Sequence, residues 1–309
     1  MLLAVLASAL SGSGDQTMII PKFVPRISVV GWQYWSDVAV YDGCRLQRHA
    51  VYDGYRVLDA ANKCIVAGPQ NKCENEIAYR LTTGLAKPYK GEVVLLLHGV
   101  LRTSRSTAPL AKMLRDHGIN VVGLDYASTS LPIDKHAENL ARVVASLDQA
   151  PTIHLVGHSM GGLVLRRYLA MDSHDRRVKR VVMLGTPNKG AELADLFGDL
   201  KLFEFVFGPA GQELRTDGTR AVGVACTLPK DVEAAVVAGV LGHKTGINPL
   251  LKGDNDGIVT VESTKLSSTC DFLCVRAHHA ALVRNAEVAE AVARFLKQGK
   301  LRPAAGASG

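Results

Sequence analysis

From Glu92 onward, apolar strand-like runs alternate with amphipathic helix-like segments, and this alternation constrains the fold more than any other feature of the sequence. The predicted strands are residues 92–97, 120–124, 152–156, 181–184, 221–227 and 272–276, and the predicted helices are residues 108–117, 137–147, 160–171 and 285–297. Residues 191–211 and 230–255 interrupt the alternation and read as insertions. Such a pattern predicts an α/β fold, with a mostly parallel sheet, right-handed crossovers and helices on both faces.

A separate small module precedes this region. Residues 44–51, 55–60 and 64–69 are short, partly alternating segments divided by turn residues that include Asp53-Gly54, which predicts an antiparallel meander, and residues 70–81 have helical spacing. We therefore expect a module at 20–85, a catalytic domain at 90–300, an apolar or flexible segment at 1–19 and a flexible tail at 301–309. The aromatic residues at 31–35 suit either a binding surface or packing on the main domain, and we favour packing.

Composition excludes several classes of protein. With 47% hydrophobic and 21% charged residues the chain is a folded globular protein, and no apolar stretch reaches the roughly 20 residues of a membrane span. The net charge of +7 is compatible with peripheral contact to anionic membranes, but the scattered Lys and Arg predict no nucleic-acid partner. The six cysteines match no metal motif, so we expect no metal and no cofactor. The first ten residues resemble the tail of a signal sequence without its basic start, or a weak anchor, which leaves the cytoplasm and the cell envelope open as compartments. The sequence also leaves the oligomeric state open.

The strongest chemical signal is the sequence GHSMGG at residues 157–162, which contains the pattern G-x-S-x-G between a predicted strand and a predicted helix. In that context the pattern is a nucleophile elbow, a turn so sharp that Ser159 is strained and its hydroxyl is exposed at the carboxyl edge of the sheet. The sequence therefore predicts Ser159 as a nucleophile.

A serine hydroxyl needs a base, and the base needs an acid that orients it. In the order nucleophile, acid, base, the acid is Asp256 in the segment DNDGIV, and we place its loop after the strand predicted at 221–227. Asp254 is the competing acid, which we interpret as a turn residue. His278 and His279 both follow the last predicted strand, and spacing alone does not separate them.

These motifs occur in the same order as in bacterial esterases and lipases of the α/β-hydrolase superfamily. The segments are HG at 98–99, GHSMGG, NDGIV and HAAL, and the resemblance extends over about residues 90–300. Within the superfamily the chain is similar to the PGAP1-like and class 2 lipase-like relatives. Their histidine is followed by Ser or Thr, one variable residue and Leu or Met. His279 fits this register through Leu282, although Ala280 departs from it, and the register selects His279 over His278.

The resemblance also implies the remaining parts of the site. The two amides of an oxyanion hole are expected to come from Met160, which follows the nucleophile, and from Val100 in the loop after strand 92–97. His98 either belongs to this hole or only shapes the loop. A cap at about 190–215 is expected to line an acyl pocket with Phe203, Phe205 and Phe207.

Taken together, the sequence predicts a carboxylic ester hydrolase, an esterase or lipase that acts on small-molecule or lipid esters through an acyl-enzyme. An acyltransferase or amidase would use the same three side chains. A non-catalytic binding protein derived from this fold would lack at least one of them, whereas all three positions are filled.

Overall fold

The computed structural model describes residues 31, 33–190, 227–243 and 245–303 of the 309-residue chain. Contacts between residues divide the chain into two units, residues 1–31 and 32–309, and the elements described below belong to the second unit. Among the helices within the described ranges, none is both long enough and apolar enough to cross a membrane.

A six-stranded parallel sheet forms the centre of the protein. Its strands, in chain order, are β5 (Glu92–Leu97), β6 (Val121–Leu124), β7 (Thr152–His158), β8 (Val178–Leu184), β9 (Glu233–Val240) and β10 (Asp271–Arg276). In space they lie in the order β10, β9, β8, β7, β5, β6, and every neighbouring pair is parallel. The chain therefore starts at β5, moves out to the edge strand β6, returns past β5 to β7 and then proceeds to the opposite edge.

Helices cover both faces of this sheet because the strands are apolar on both sides. The elements between and after the strands are α2 (Ser104–Asp116), α3 (Ile133–Ser146), α4 (Met160–Leu169), α5 (Val261–Thr264), a 3₁₀ helix (His279–Arg284) and α6 (Ala286–Gln298). In β5, the side chains of Val93 and Leu95 join the core under α3 and α4, and those of Val94 and Leu96 join the core under α2 and α6. Burial of both sets in β5 explains its unbroken apolar sequence.

The chain before residue 92 forms a four-stranded antiparallel sheet and one helix. The elements are β1 (Trp35–Tyr41), β2 (Cys44–His49), β3 (Tyr55–Asp59), β4 (Cys64–Gly68) and α1 (Gln70–Thr82), and the strands pair in chain order. This sheet docks on the main domain through β1. Asp37 donates its amide to the Asp125 carbonyl at 2.9 Å, and its carboxylate accepts the Asp125 amide at 2.8 Å, just beyond β6. Farther along β1, the Val40 amide donates to the Ser146 hydroxyl at the end of α3.

The predicted fold class is confirmed: the parallel sheet with helices on both faces is present, and so is the separate antiparallel sheet. Two details were wrong. Residues 230–255 are not simply an insertion, because they contain the core strand β9, whose sequence EAAVVAGV is rich in small residues and lacks the bulky apolar run that marks β5. The strand β1 was not predicted, since its polar Ser36 and Asp37 obscure the pattern although both are buried.

Two other predictions cannot be compared with the structure. The strand predicted at 221–227 and the cap predicted at 190–215 lie outside the described residues, apart from their ends, and Thr227 itself is not in a strand. The division into a module at 20–85 and a catalytic domain at 90–300 stays a prediction.

Candidate active site

Ser159, Asp256 and His279 lie at the carboxyl edge of the parallel sheet, where the strand order reverses. The chain leaves β5 toward β6 on one side and later leaves β7 toward β8 on the other, so the loops after β5 and β7 diverge and open a crevice between them. Crevices of this kind are the usual ligand sites of open parallel sheets. The loop after β7 contains Ser159, and the loop after β5 begins at His98.

Ser159 occupies a strained turn between β7 and α4. Its backbone has φ 55° and ψ −126°, a combination that is costly for a residue with a side chain. Close approach of the backbone on both sides makes the turn dependent on glycine: a Cβ at Gly157 would lie 2.6 Å from the Gly162 amide, and one at Gly161 would lie 2.7 Å from the His98 carbonyl. The motif at 157–162 thus has the strand, turn and helix of a nucleophile elbow.

Asp256 and His279 form a hydrogen-bonded pair. The Nδ1 atom of His279 is 2.7 Å from Oδ2 of Asp256, and the His279 amide donates to the Asp256 carbonyl at 2.9 Å. Because a carboxylate only accepts, Nδ1 carries the hydrogen and Nε2 is left with a free lone pair. The other carboxylate oxygen of Asp256 accepts the amides of Ile258 and Val259, so this buried side chain is fixed by three bonds.

The end of β8 lies against both Ser159 and the Asp256–His279 pair. The Ser159 amide donates to the Leu184 carbonyl at 2.8 Å. At the next residue, Gly185, a Cβ would lie 3.1 Å from Nδ1 of His279 and 3.2 Å from Oδ2 of Asp256. The structure therefore brings Ser159, Asp256 and His279 together at one point of the sheet edge.

The competing residues have other positions. His278 is exposed, and its carbonyl accepts the Leu282 amide at the start of the 3₁₀ helix. The carboxylate of Asp254 accepts hydrogen bonds from the amides of Leu241 and Gly242. It therefore fixes the backbone just beyond β9. The loop that carries Asp256 follows β9, and the strand predicted before it at 221–227 lies outside the described residues apart from Thr227.

The loop after β5 lies directly against Ser159. A Cβ at Gly99 would be 3.1 Å from Cβ of Ser159. Within the described part of the chain, the Val100 amide donates to no other residue. Met160, at the first position of α4, is buried beside the same serine.

His98 shapes this loop. Its Nδ1 donates to the Gly99 carbonyl at 2.8 Å, its Nε2 accepts the Tyr126 amide at 3.3 Å, and the Tyr126 hydroxyl donates to the His98 carbonyl at 2.5 Å. Burial lowers the pKa of His98 to about 4, so the ring is neutral, as these bonds require. Of the two roles expected for His98, the geometry favours support of the loop.

His158 precedes Ser159 in the chain and contacts the segment that carries His279. Its Nε2 donates to the His279 carbonyl at 3.0 Å, and the two rings lie 4.8 Å apart between centroids. Burial, together with the charge that His279 carries when protonated, lowers the pKa of His158 to about 3. A neutral His158 therefore supports the backbone of His279.

The expected acyl-pocket residues Phe203, Phe205 and Phe207 lie outside the described residues. In the ranges that the structure describes, no group of three or more His, Cys, Asp or Glu side chains is placed to hold a metal ion. Sequence reasoning missed Gln33 and Ser128, two buried polar residues whose side chains contact each other near the loop after β5. No motif marks either residue, and only their contacts reveal them.

Comparisons with known proteins agree with this architecture. A family model described as a domain of unknown function (DUF7379) matches residues 67–205. No curated protein matches the chain. Among solved structures, the chain is similar to the mature lipase BlEst2 of Bacillus licheniformis, with 19% identity, a TM-score of 0.54, and coverage of 67% of this chain and 91% of that one.

Two further solved structures have the same core. The metagenomic carboxyl esterase MGS0156 is 18% identical with a TM-score of 0.57, over 69% of this chain and 79% of that one. Phospholipase PlaB from Legionella pneumophila is 16% identical with a TM-score of 0.52, over 70% of this chain and 60% of that one. The protein therefore has the α/β-hydrolase fold.

Proposed function

We propose that this protein is a serine hydrolase that cleaves carboxylic esters through an acyl-enzyme. The observation that carries the proposal is the 2.7 Å bond between His279 and Asp256, located beside the strained Ser159 at the reversal point of the sheet. The lipase, the carboxyl esterase and the phospholipase that share the fold support an ester as the substrate. The PGAP1-like branch of the superfamily stays a prediction from sequence motifs.

The proposed chemistry follows from the bond between Nδ1 of His279 and Asp256, which leaves Nε2 of the neutral ring as the proton acceptor. Nε2 of His279 takes the proton of the Ser159 hydroxyl as its oxygen attacks the ester carbonyl carbon, and Asp256 stabilises the imidazolium that forms. The amides of Val100 and Met160 hold the oxyanion of the tetrahedral intermediate. His279 then returns the proton to the departing alcohol, and a water molecule hydrolyses the acyl-Ser159 ester by the same steps in reverse.

The test combines a covalent probe with turnover. A fluorophosphonate should label the folded protein at Ser159, and p-nitrophenyl esters of increasing chain length should be hydrolysed. The Ser159→Ala variant should keep the fold and lose on the order of 10³-fold or more in kcat, because the serine supplies the covalent step. Absence of labelling in folded protein, or substantial turnover by purified Ser159→Ala, would reject the proposal.

A trapping experiment addresses transfer to other acceptors. Addition of an alcohol or an amine during ester turnover measures how the acyl group divides between water and the added acceptor. A hydrolase releases free acid as the main product, whereas an acyltransferase or an amidase working in reverse releases the new ester or amide.

The acyl pocket is proposed from sequence alone. If Phe205 and Phe207 line it, their replacement by Ala removes apolar surface worth about 0.8 kcal/mol per methylene of bound acyl chain. The preference among short and long esters should then change. If both variants keep their stability and the same preference among short and long esters, the segment 191–211 does not line the acyl pocket.

A further inference from the structure

We propose that Gln33, which precedes the antiparallel sheet, is a positioning residue for the oxyanion loop, the segment at residues 98–102 after β5; this inference rests on the proposed ester hydrolysis. The side chain of Gln33 is fully buried. Its Nε2 donates to the Arg102 carbonyl at 2.8 Å, and its Oε1 accepts the Ser128 hydroxyl at 2.7 Å. One side-chain amide thus joins the loop after β5 to the loop after β6.

Ser128 extends this connection to Leu101, the residue that precedes Arg102 in the oxyanion loop. Its hydroxyl oxygen accepts the Leu101 amide at 3.1 Å while its hydrogen is donated to Gln33. Leu101 has a left-handed backbone with φ 55°, which residues with side chains seldom adopt without support from their surroundings. Gln33 therefore holds Arg102 directly and Leu101 through Ser128.

These two residues directly follow Val100, whose amide is the proposed oxyanion donor. The other end of the loop is fixed by the bonds that His98 makes to Gly99 and Tyr126. Val100 consequently lies between two fixed points, and the second of them depends on Gln33, in the chain before residue 92. An oxyanion donor works when it already points at the place where the charge develops, so loss of one fixed point should weaken the transition state more than substrate binding.

Bonds of the Gln33 backbone and of the start of β1 to the loop after β6 hold Gln33 in place. The Gln33 carbonyl accepts the Ser130 hydroxyl at 3.0 Å, and Ser36 accepts the Ala127 amide at 3.1 Å through its own hydroxyl. At the residue after Ser36, the bonds between Asp37 and Asp125 fix the start of β1 beyond β6. The antiparallel sheet thereby acquires a role at the site, although it contributes no residue to the proposed chemistry.

The experiment compares ester turnover by Gln33→Leu and Ser128→Ala with that of the unchanged protein. Each variant should lose roughly 10-fold or more in kcat, while KM stays within about 3-fold, because the displaced donor binds the transition state rather than the ground state. The Ki of a trifluoromethyl ketone, which forms a tetrahedral oxyanion with the serine, should rise in proportion to the loss in kcat/KM. The double variant should lose no more than the worse single variant, since both residues act through one network.

Ser146→Ala is the matched control. It also removes a side-chain hydrogen bond between the N-terminal sheet and the main domain, but at the end of α3, shortly before the start of β7. Its kcat and Ki should equal those of the unchanged protein even if its thermal midpoint falls. If Gln33→Leu does not fold, Gln33→Glu replaces it, which keeps the acceptor for Ser128 and loses the donor to Arg102.

The outcomes separate the two proposals. An unchanged protein that neither hydrolyses esters nor reacts with fluorophosphonate contradicts the proposed function. If the unchanged protein is active and the Gln33 and Ser128 variants match Ser146→Ala in kcat and Ki, the positioning role is wrong and the proposed function stands. Equal losses in all three variants would assign the effect to general destabilisation and would also overturn the positioning role.

Discussion

Replacement of the buried His136 by Phe should stabilise the protein in acid and leave its stability nearly unchanged at alkaline pH. His136 lies on α3 with 2% of its surface exposed, and within the described residues neither ring nitrogen has a hydrogen-bond partner. Its ring packs edge-on against Tyr126 at 4.8 Å between centroids, a contact that Phe can keep. Burial lowers the pKa of His136 to about 3, the charge that His98 carries when protonated acts in the same direction, and the backbone of Leu131 opposes the shift.

The magnitude follows from linkage between protonation and folding. The pKa is about 3 in the folded chain and 6.5 in the unfolded chain, so only the unfolded chain takes up a proton between these values. The stability contributed by neutral His136 is therefore complete above pH 6.5 and is lost as the pH falls toward 3. At pH 5 the loss is about 2 kcal/mol, and at pH 8 it is close to zero.

The assay is urea unfolding of the protein and of His136→Phe at pH 8 and pH 5. The difference in unfolding free energy between variant and parent should shift by about 2 kcal/mol in favour of the variant between the two pH values. Any packing cost of the larger ring appears equally at both pH values and cancels. Asn139→Leu, at a buried uncharged position of the same helix, should show no such shift. A shift below about 0.5 kcal/mol for His136→Phe would refute the argument.

Three further outcomes are expected. In ester turnover, His279→Ala should lose most of kcat, whereas His278→Ala should keep most of it because His278 is exposed; the reverse would reassign the base. Gly185→Ala should lower kcat by more than Gly253→Ala. Both glycines have positive φ, but only a Cβ at Gly185 would contact the proposed base and acid, so equal effects would mean that backbone strain alone matters. Asp254→Ala should lower the thermal midpoint, through the amides it leaves unpaired beyond β9, while kcat in the remaining folded protein is preserved.

Features that depend on local periodicity could be predicted from the sequence. The strand β5 was predicted with its observed bounds, because five consecutive apolar residues buried from both faces follow Glu92. The nucleophile elbow was also predictable, since the glycines around Ser159 are demanded by a turn only a few residues long. The meander at 44–69 was signalled by turn residues between its short strands.

Other features were set by packing between distant parts of the chain. Spacing left His278 and His279 open, since one residue of difference at the start of a 3₁₀ helix decides which ring faces Asp256. The strand β9 is short of bulky residues and owes its place to the partners β8 and β10 on either side. The loop that carries Asp256 follows β9, so its place in the sheet depends on a strand that the local sequence did not reveal.

Gln33 shows the limit most clearly. In the sequence it is a polar residue before an aromatic pair, without a motif, and nothing local distinguishes it from a solvated glutamine. Its hydrogen bonds reach residues 69 and 95 positions away, and they exist only after the antiparallel sheet has docked on the carboxyl edge of the parallel one. The sequence by itself determined the strands with long apolar runs such as β5, the sharp turn at Ser159 and the residue types available for chemistry, because those depend on neighbours along the chain. Tertiary structure alone decided which side chains meet at that edge, because a buried polar group finds its partners only where distant segments are brought into contact.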